Sequence, residues 1–154
     1  MVQRVSKANL SILNEDVATI GPGLVVLLGV GRGDEAVASK YLVDKILNLR
    51  IFEDESGRFN LSVLEKEASL LIVSQFTLYG TTRKGRRPSF VDAASTEEAR
   101  PLFEYTLSLF EASGLNVKTG RFAEHMFVTL TNDGPFTISI DSEEGLGPRD
   151  RKLH

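Results

Sequence analysis

Four short segments of this chain carry residue types that could do chemistry. Ser74-Gln75-Phe76-Thr77-Leu78 closes an apolar run that begins at Leu70, so Ser74, Gln75, Thr77 and then Tyr79 mark where greasy sequence gives way to polar. Polar groups at the carboxyl end of a buried strand stand where α/β sheets bind ligands. The plainer alternative is that Ser and Thr bond within the sheet and Gln points to water, since buried polar groups are ordinarily satisfied. Next comes Thr81-Thr82-Arg83-Lys84-Gly85-Arg86-Arg87, where Arg83, Lys84, Arg86 and Arg87 are cationic. Such a cluster can hold phosphates by charge and by bidentate guanidinium bonds. It can also be a solvated, self-repelling loop. Its position beside Thr77 favours phosphate.

The third segment is Asn132-Asp133-Gly134-Pro135-Phe136-Thr137. Turn composition alone accounts for Asn, Asp, Gly and Pro. A cis Gly-Pro peptide would instead present its carbonyls in a fixed direction, as a rigid backbone sensor. The fourth is His125, which precedes a strand without a partnering motif and reads as structural. Gly29-Val30-Gly31-Arg32-Gly33 lacks the Lys-Ser/Thr of a phosphate loop and does not continue as a dinucleotide fingerprint.

Composition narrows the chemistry further. The chain has no cysteine, so disulfides, thiolate zinc sites, iron–sulfur clusters and cysteine nucleophiles are excluded. It has two histidines, His125 and His154, so a three-His metal site is impossible and any Ser-His-Asp triad would rest on His125. No metal and no cofactor are implied. The net charge of −3 announces no strong basic field. With 154 residues, 42% apolar and 25% charged, the chain reads as one globular domain. The N-terminus shows no apolar signal region, and the longest apolar run, Leu24 to Val30, is far short of the ~20 residues of a membrane span. A cytoplasmic location is expected.

The elements that must position these segments can be read from periodicity. Residues 2 to 30 read as strands, with Asn14-Glu15-Asp16 and Gly21-Pro22-Gly23 as breaks and Leu24 to Val30 as a strand covered on both faces. Asp34 can cap a helix whose Ala38, Tyr41, Leu42, Ile46 and Leu49 recur at helical spacing. Glu53 to Arg58 is a polar turn, Leu70 to Leu78 a buried strand, and Tyr79 to Pro88 a loop. Ser95-Thr96-Glu97-Glu98 fits a capping box for a helix to about Ser113, stopped by Gly114. Leu102, Thr106, Leu109 and Phe110 would face inward, and Pro101 should kink or delay the helix. Three strands follow, Leu115 to Lys118, His125 to Thr131 and Phe136 to Asp141, the last two joined by an Asn132–Pro135 turn. The tail from Ser142 is polar and is expected to be loosely held. The order is two strands, two strand–helix units and three strands, which implies an α/β domain with a mostly buried sheet.

Taken together, Gln3-Arg4-Val5, Ser74-Gln75-Phe76-Thr77-Leu78 with the following Arg83-Lys84-Gly85-Arg86-Arg87-Pro88-Ser89-Phe90, and Asn132-Asp133-Gly134-Pro135 closely resemble the D-aminoacyl-tRNA deacylase family. Gly21-Pro22-Gly23-Leu24 and Lys45 to Phe52 extend the likeness, which spans about residues 2 to 141. The resemblance implies a deacylase domain over 1–141 with a tail over 142–154, a three-layer β/β/α fold, and a homodimer. It implies hydrolysis of the ester between a D-amino acid and the 3′ end of tRNA, and removal of glycine mischarged onto alanine tRNA. By the same likeness the catalytic set is Ser74, Gln75, Phe76 and Thr77. Gly134 and Pro135 would reach the partner subunit's site as a cis motif that rejects L-amino acids, and Arg4 would fix their orientation. Met126 and the cations Arg83, Lys84, Arg86 and Arg87 complete the substrate-binding set. Ser74 and Phe76 resemble the D-specific group rather than its sister deacylases. Phe136 stands where the family usually carries a small aliphatic residue, which bears on the fine shape of the sensor. The chain also starts about three residues earlier in the motif than usual, which implies a short first strand.

For the reaction, Thr77 is a tempting nucleophile, but no His, Lys or Asp is patterned beside it as a base. Backbone N–H groups at Phe76 and Thr77 stabilising the oxyanion, with the tRNA 2′-hydroxyl placing or activating water, are favoured instead. Two rivals remain open: a non-catalytic RNA-binding module using the basic loop and an exposed Phe90, and a small-molecule esterase with Thr77 as nucleophile.

Overall fold

In the computed structural model, residues 1–147 are described. The chain opens with a hairpin of β1 (Val2–Ile12) and β2 (Glu15–Ile20). Its turn is Leu13-Asn14, both at positive φ, one residue earlier than the Asn14-Glu15-Asp16 reading, with Glu15 and Asp16 in β2. A two-residue loop of this hand matches the twist of paired strands. β1 is 11 residues long rather than short, because both of its edges are partnered. One edge pairs with β2 through Ala8–Ile12 and with β3 (Gly23–Leu28) through Val2–Val5. The other edge pairs with β8 (Phe127–Ile138) from Val2 to Ser11.

Parallel to β3 lies β6 (Ser69–Ser74), in register from Gly23 opposite Ser69 to Leu28 opposite Ser74, and β7 (Val117–Thr119) pairs in parallel with β6. Side chains along β3 and β6 alternate between two cores. Leu24, Val26, Leu28, Leu70 and Ile72 pack with Val43, Ile46 and Leu47 of α1 (Ala36–Asn48) and with Phe103 and Phe110 of α2 (Thr96–Glu111). Val25, Leu71 and Val73 pack instead with Val5, Ala8, Leu10 and Ile12 of β1 and Ala18 and Ile20 of β2. Since β1 and β2 belong to the same hydrogen-bonded sheet, the sheet folds over onto its own face. Cover on both sides explains why β3 and β6 are continuous apolar runs.

Several local expectations are corrected. The strand expected to reach Leu78 ends at Ser74, because its ladder with β3 stops at Leu28 and its ladder with β7 stops at Thr119 opposite Ile72. Without a neighbour, the backbone bonds to itself as a 3₁₀ turn, Phe76–Tyr79. The two strands expected around Asn132–Pro135 are one strand, β8, with that segment inside it. Irregular register against β1, between Gln3 and Val5 and between Val5 and Lys7, absorbs the proline that cannot donate to a ladder. A small hairpin, β4 (Phe52–Glu53) and β5 (Phe59–Leu61), is added after α1. Its turn is organised by the Asp54 carboxylate, which accepts from the Ser56 hydroxyl (2.6 Å), Ser56 N–H (2.8 Å) and Arg58 N–H (3.2 Å). Those bonds, the Ser56 hydroxyl first, hold the Asp54 carboxyl below the usual carboxylate range.

The helices show a similar mixture. Asp34 does not cap α1: Glu35 is the N-cap and makes no side-chain cap bond, while Asp34 accepts from the Gly31 N–H (2.7 Å) and the Tyr79 hydroxyl (3.4 Å). The capping box of α2 is present, with Glu98 N–H donating to Ser95 Oγ (3.3 Å) and Ser95 N–H to Glu98 Oε2 (3.1 Å). The helix is not delayed by Pro101, and Gly114 follows it at φ 79°. Its buried face is Ala99, Phe103, Thr106 and Phe110, whereas Leu102 and Leu109 are only partly buried. The start of the tail is docked rather than loose. Ser142 is buried, α3 (Glu143–Leu146) follows, and a Cβ at Gly145 would collide with the Tyr41 ring of α1. The remainder of the expected tail, 148–154, lies outside the described residues. Among the described residues no helix is long and apolar enough to cross a membrane.

The β3–β6 register rests on close backbone approach at Gly23, where any Cβ would collide with the Ser69 carbonyl. Gly23→Ala should lower the unfolding free energy by about 1–3 kcal/mol, as other overpacked sites do. A urea midpoint equal to that of the parent chain would contradict this.

Candidate active site

The end of β6 opens into a cavity of about 1250 Å³. Ser74, Gln75 and Phe76 form one wall, Leu28 and Val30 the edge of β3, and Ser95, Thr96 and Ala99 the first turns of α2. Phe122, His125 and Met126 close the remaining side. The start of α2 is held here by Ala94 N–H donating to Val30 carbonyl (3.0 Å) and Arg32 N–H to Asp92 carbonyl (2.9 Å). Apolar walls with a few polar groups are typical of pockets for small organic groups. Arg32, Glu35, Phe103 and Phe122 also line the cavity and were not singled out from sequence. Each lies far along the chain from the Ser74 motif and carries no motif of its own.

The 3₁₀ turn that carries Phe76 and Thr77 is tied down at several points. Gln75 N–H donates to the Leu28 carbonyl (2.8 Å), and Gly80 N–H to the Thr77 carbonyl (2.9 Å). The Tyr79 ring sits against Gly29 and Gly31, where a Cβ would stand 3.1 and 2.8 Å from it. The glycines that failed as a phosphate loop thus form the seat of an aromatic ring. The Thr77 hydroxyl is exposed and accepts from the Gln75 amide. Phe76 is exposed and packs edge-on against Phe90 at 5.1 Å. Phe90 is therefore half-buried, contrary to the exposed ring expected from sequence. His125, read from sequence as structural, is exposed at the cavity wall and stacks edge-on with Phe127 at 4.9 Å. Among the described residues no cluster of His, Cys, Asp or Glu could hold a metal ion.

Beyond the turn, Thr81 and Ser89 exchange two backbone bonds of 2.9 Å and close the base of the basic loop. Arg83, Lys84, Arg86 and Arg87 are all exposed on it. The ion pairs Arg4 with Asp133 and Arg121 with Glu124 lie outside the loop, and among the described residues no carboxylate pairs with its four cations.

Arg4, Gly134 and Pro135 do not line the cavity; they form a second centre within the chain. Arg4 is buried, its Nε donates to the Asp133 carbonyl (3.0 Å) and its Nη1 to the Ile51 carbonyl (2.6 Å). Phe136 N–H donates to Asn132 Oδ1 (2.6 Å), and Asn132 Nδ2 to Thr137 Oγ1 (2.9 Å). Between these anchors the Gly134–Pro135 peptide is cis and exposed. Phe136 turns inward to the core beside the helices and leaves the motif's outer surface to Gly134 and Pro135.

Comparison with known proteins gives a consistent result. The family model described as D-Tyr-tRNA(Tyr) deacylase matches residues 1–141. A D-aminoacyl-tRNA deacylase of Symbiobacterium thermophilum is 54% identical over 144 residues, covering 94% of this chain and 95% of the relative. One from Myxococcus xanthus is 49% identical over 149 residues, covering 97% of each. A solved structure described as a c-Myc DNA unwinding element binding protein superposes with TM-score 0.84 at 41% identity, over 89% of this chain and 93% of that one. A structure described as a probable eukaryotic D-amino acid tRNA deacylase shares the fold, with TM-score 0.73 at 19% identity, over 86% of this chain and 92% of that one.

The buried Arg4 is the point at which the second centre can be tested for stability. Arg4→Met removes the donor to two carbonyls and should cost about 1.5–3 kcal/mol, the range for hydrogen bonds to a charged group. Arg4→Lys should recover only part, because an ammonium lacks the guanidinium fork. Urea denaturation of both variants is the measurement, and parent-like stability of Arg4→Met would refute the anchoring role.

Proposed function

The chain belongs to the D-Tyr-tRNA(Tyr) deacylase family, and we propose that it is an editing hydrolase that cleaves the ester of D-aminoacyl-tRNA and spares the L-form. The observation that carries this reading is one juxtaposition: the polar end of β6 opens into a pocket large enough for a terminal nucleoside, and the exposed cationic loop runs between its lining residues Phe76 and Phe90. Arg83, Lys84, Arg86 and Arg87 would grip the phosphates leading to that nucleoside. Ser74, Gln75, Phe76 and Met126 would hold the adenosine and the aminoacyl group.

In the reaction, water adds to the ester carbonyl carbon, the bond to the ribose 3′-oxygen breaks, and that oxygen takes a proton. The products are a free D-amino acid and tRNA. Phe76 and Thr77 open the 3₁₀ turn, where N–H groups have no partner within the turn and can receive the oxyanion. One such donor contributes roughly 2.7–4 kcal/mol. The neighbouring 2′-hydroxyl of the substrate would orient the attacking water, and placement of this kind can supply ~7–11 kcal/mol of the barrier. Thr77, whose hydroxyl is engaged by Gln75, positions the substrate rather than attacking it.

Chirality would be enforced by exclusion. The exposed Gly134–Pro135 motif cannot serve the cavity of its own chain, from whose lining it is absent. A second copy would present it there, and the homodimer would be completed along β8, which among the described residues pairs with β1 alone. A site that excludes L side chains without gripping D ones admits many D-amino acids. It also admits glycine, so glycine mischarged on alanine tRNA is a second substrate. The reading takes 1–141 as the deacylase domain in a three-layer β/β/α arrangement. It places the work in the cytoplasm and calls for no metal or cofactor. Nucleic-acid binding without chemistry is the second reading, favoured by the exposed loop and by the described DNA-binding role of the 41% identical structure.

Release of labelled amino acid from D-aminoacyl-tRNA, with L-aminoacyl-tRNA and a free D-amino acid ester as controls, separates these readings. Thr77→Ala should retain activity within about tenfold, while tRNA ending in 2′-deoxyadenosine should lose roughly 10²–10³, the range for one lost stabilising group. The reverse pattern would make Thr77 the nucleophile. In the loop, Arg83→Gln with Arg87→Gln should raise KM and flatten the salt dependence of binding, by about 0.7 in the log–log slope per lost phosphate contact to single strands. An unchanged salt slope would remove the loop from the tRNA interface.

A further inference from the structure

We infer that Phe59, on the β4–β5 hairpin, and Phe136 are positioning residues for stereochemical selectivity, acting on Gly134–Pro135 through the Arg4 guanidinium. This rests on the preceding reading of Gly134–Pro135 as the element that rejects L-amino acids.

Three side chains meet in a triangle. Arg4 Cζ stands over the Phe59 ring at 5.2 Å and over the Phe136 ring at 5.3 Å. The two rings meet edge to face at 5.4 Å. Contacts of a guanidinium with ring faces at this range are attractive, and edge-to-face rings add to them. Nε is held by the Asp133 carbonyl and Nη1 by the Ile51 carbonyl, and the two rings pack on the guanidinium beside these bonds, so loss of a ring removes part of what keeps it from pivoting. Since Arg4 Nε holds the Asp133 carbonyl, one residue before Gly134, any pivot would pass directly into the motif. Phe136 acts from the other end, as the residue after Pro135, with its N–H fixed by Asn132.

The role of Phe59 is the less expected of the two, because it lies more than seventy residues away and belongs to a different hairpin. Phe59 is 52% exposed, so little of its side chain serves the core. Its seat is nevertheless stiff. The turn before it is braced by the Asp54 carboxylate, which also accepts from the Asn60 amide at 3.2 Å. The Ile51 carbonyl that receives Arg4 sits immediately before β4, so the same hairpin supplies both an acceptor and a ring for the guanidinium. Phe136, which stands where the family usually carries a small aliphatic residue and so bears on the fine shape of the sensor, turns its ring inward against Arg4.

The test is the ratio of kcat/KM for D- and L-aminoacyl-tRNA in the full chain bearing Phe59→Ala, Phe59→Leu or Phe59→Tyr. Alanine and leucine should each lower the D-over-L ratio by roughly five- to tenfold, the scale of one cation–π contact, through a rise in L-hydrolysis. Tyrosine keeps the ring face and should restore the parent ratio. Leucine keeps apolar bulk, so a parent-like ratio in Phe59→Leu would overturn the role of the ring. A parallel fall of D- and L-hydrolysis in Phe59→Ala, leaving the ratio unchanged, would mark a merely structural residue and overturn the inference alone. A parent chain with no D-over-L selectivity would overturn the reading of Gly134–Pro135 first, before any variant is compared.

Discussion

The parallel ladder between β3 and β6 is the constraint on which the rest of the molecule depends. Gly23 lets the two backbones approach at one end, and the register then runs without slip to Leu28 opposite Ser74 at the other. Because the register is fixed, alternate side chains divide between the helix core and the folded-over β1–β2 face. The same register decides where the ladder stops. There the chain turns on itself, and the 3₁₀ turn is seated by Tyr79 against Gly29 and Gly31 of the adjoining strand end. The candidate pocket is thus a by-product of strand pairing, with its polar residues placed at the first point where the backbone is free of neighbours.

A site built in this way suits a chain so poor in histidine and cysteine. Its polar contributions are backbone N–H groups and a hydroxyl already engaged by an amide, and its walls would hold the nucleoside of the proposed substrate. Preorganised donors of this kind need no reorganisation as charge develops on the ester oxygen. The substrate would bring its own hydroxyl, and the protein would supply placement. Four cations are concentrated in the loop after the turn, so the acidic average of the chain does not conflict with the phosphate grip proposed for that loop.

Much of this was legible in the sequence where short-range signals act. The capping box at Ser95 and Glu98, the two apolar runs and the Gly114 stop depend on neighbours within a few residues, and the structure contains all of them. The limits of β6 and the continuity of β8 were not legible, because each is set by a partner strand distant in sequence. Asp34 has the composition of a helix cap, but it is drawn to the Gly31 N–H and to Tyr79, which no local pattern reveals. At the site, the Ser74 motif could be recognised, whereas Arg32, Phe103 and Phe122 reach the cavity only through tertiary packing. Gly134–Pro135 lies in the stretch of β8 opposite Gln3–Val5 and is absent from the cavity lining, to which β8 contributes Val128 near its other end.

The most direct measurement of the central claim is a structure of the chain bound to a non-hydrolysable analogue in which a D-amino acid is joined to adenosine by a 3′-amide. The account predicts that the adenine occupies the cavity beside Phe76 and Phe122. The carbonyl should point at the N–H groups of Phe76 and Thr77, and Gly134–Pro135 of a second copy should close over the Cα. Equal occupancy by the L-analogue in the same pose, or binding of the D-analogue away from Ser74–Thr77, would contradict it.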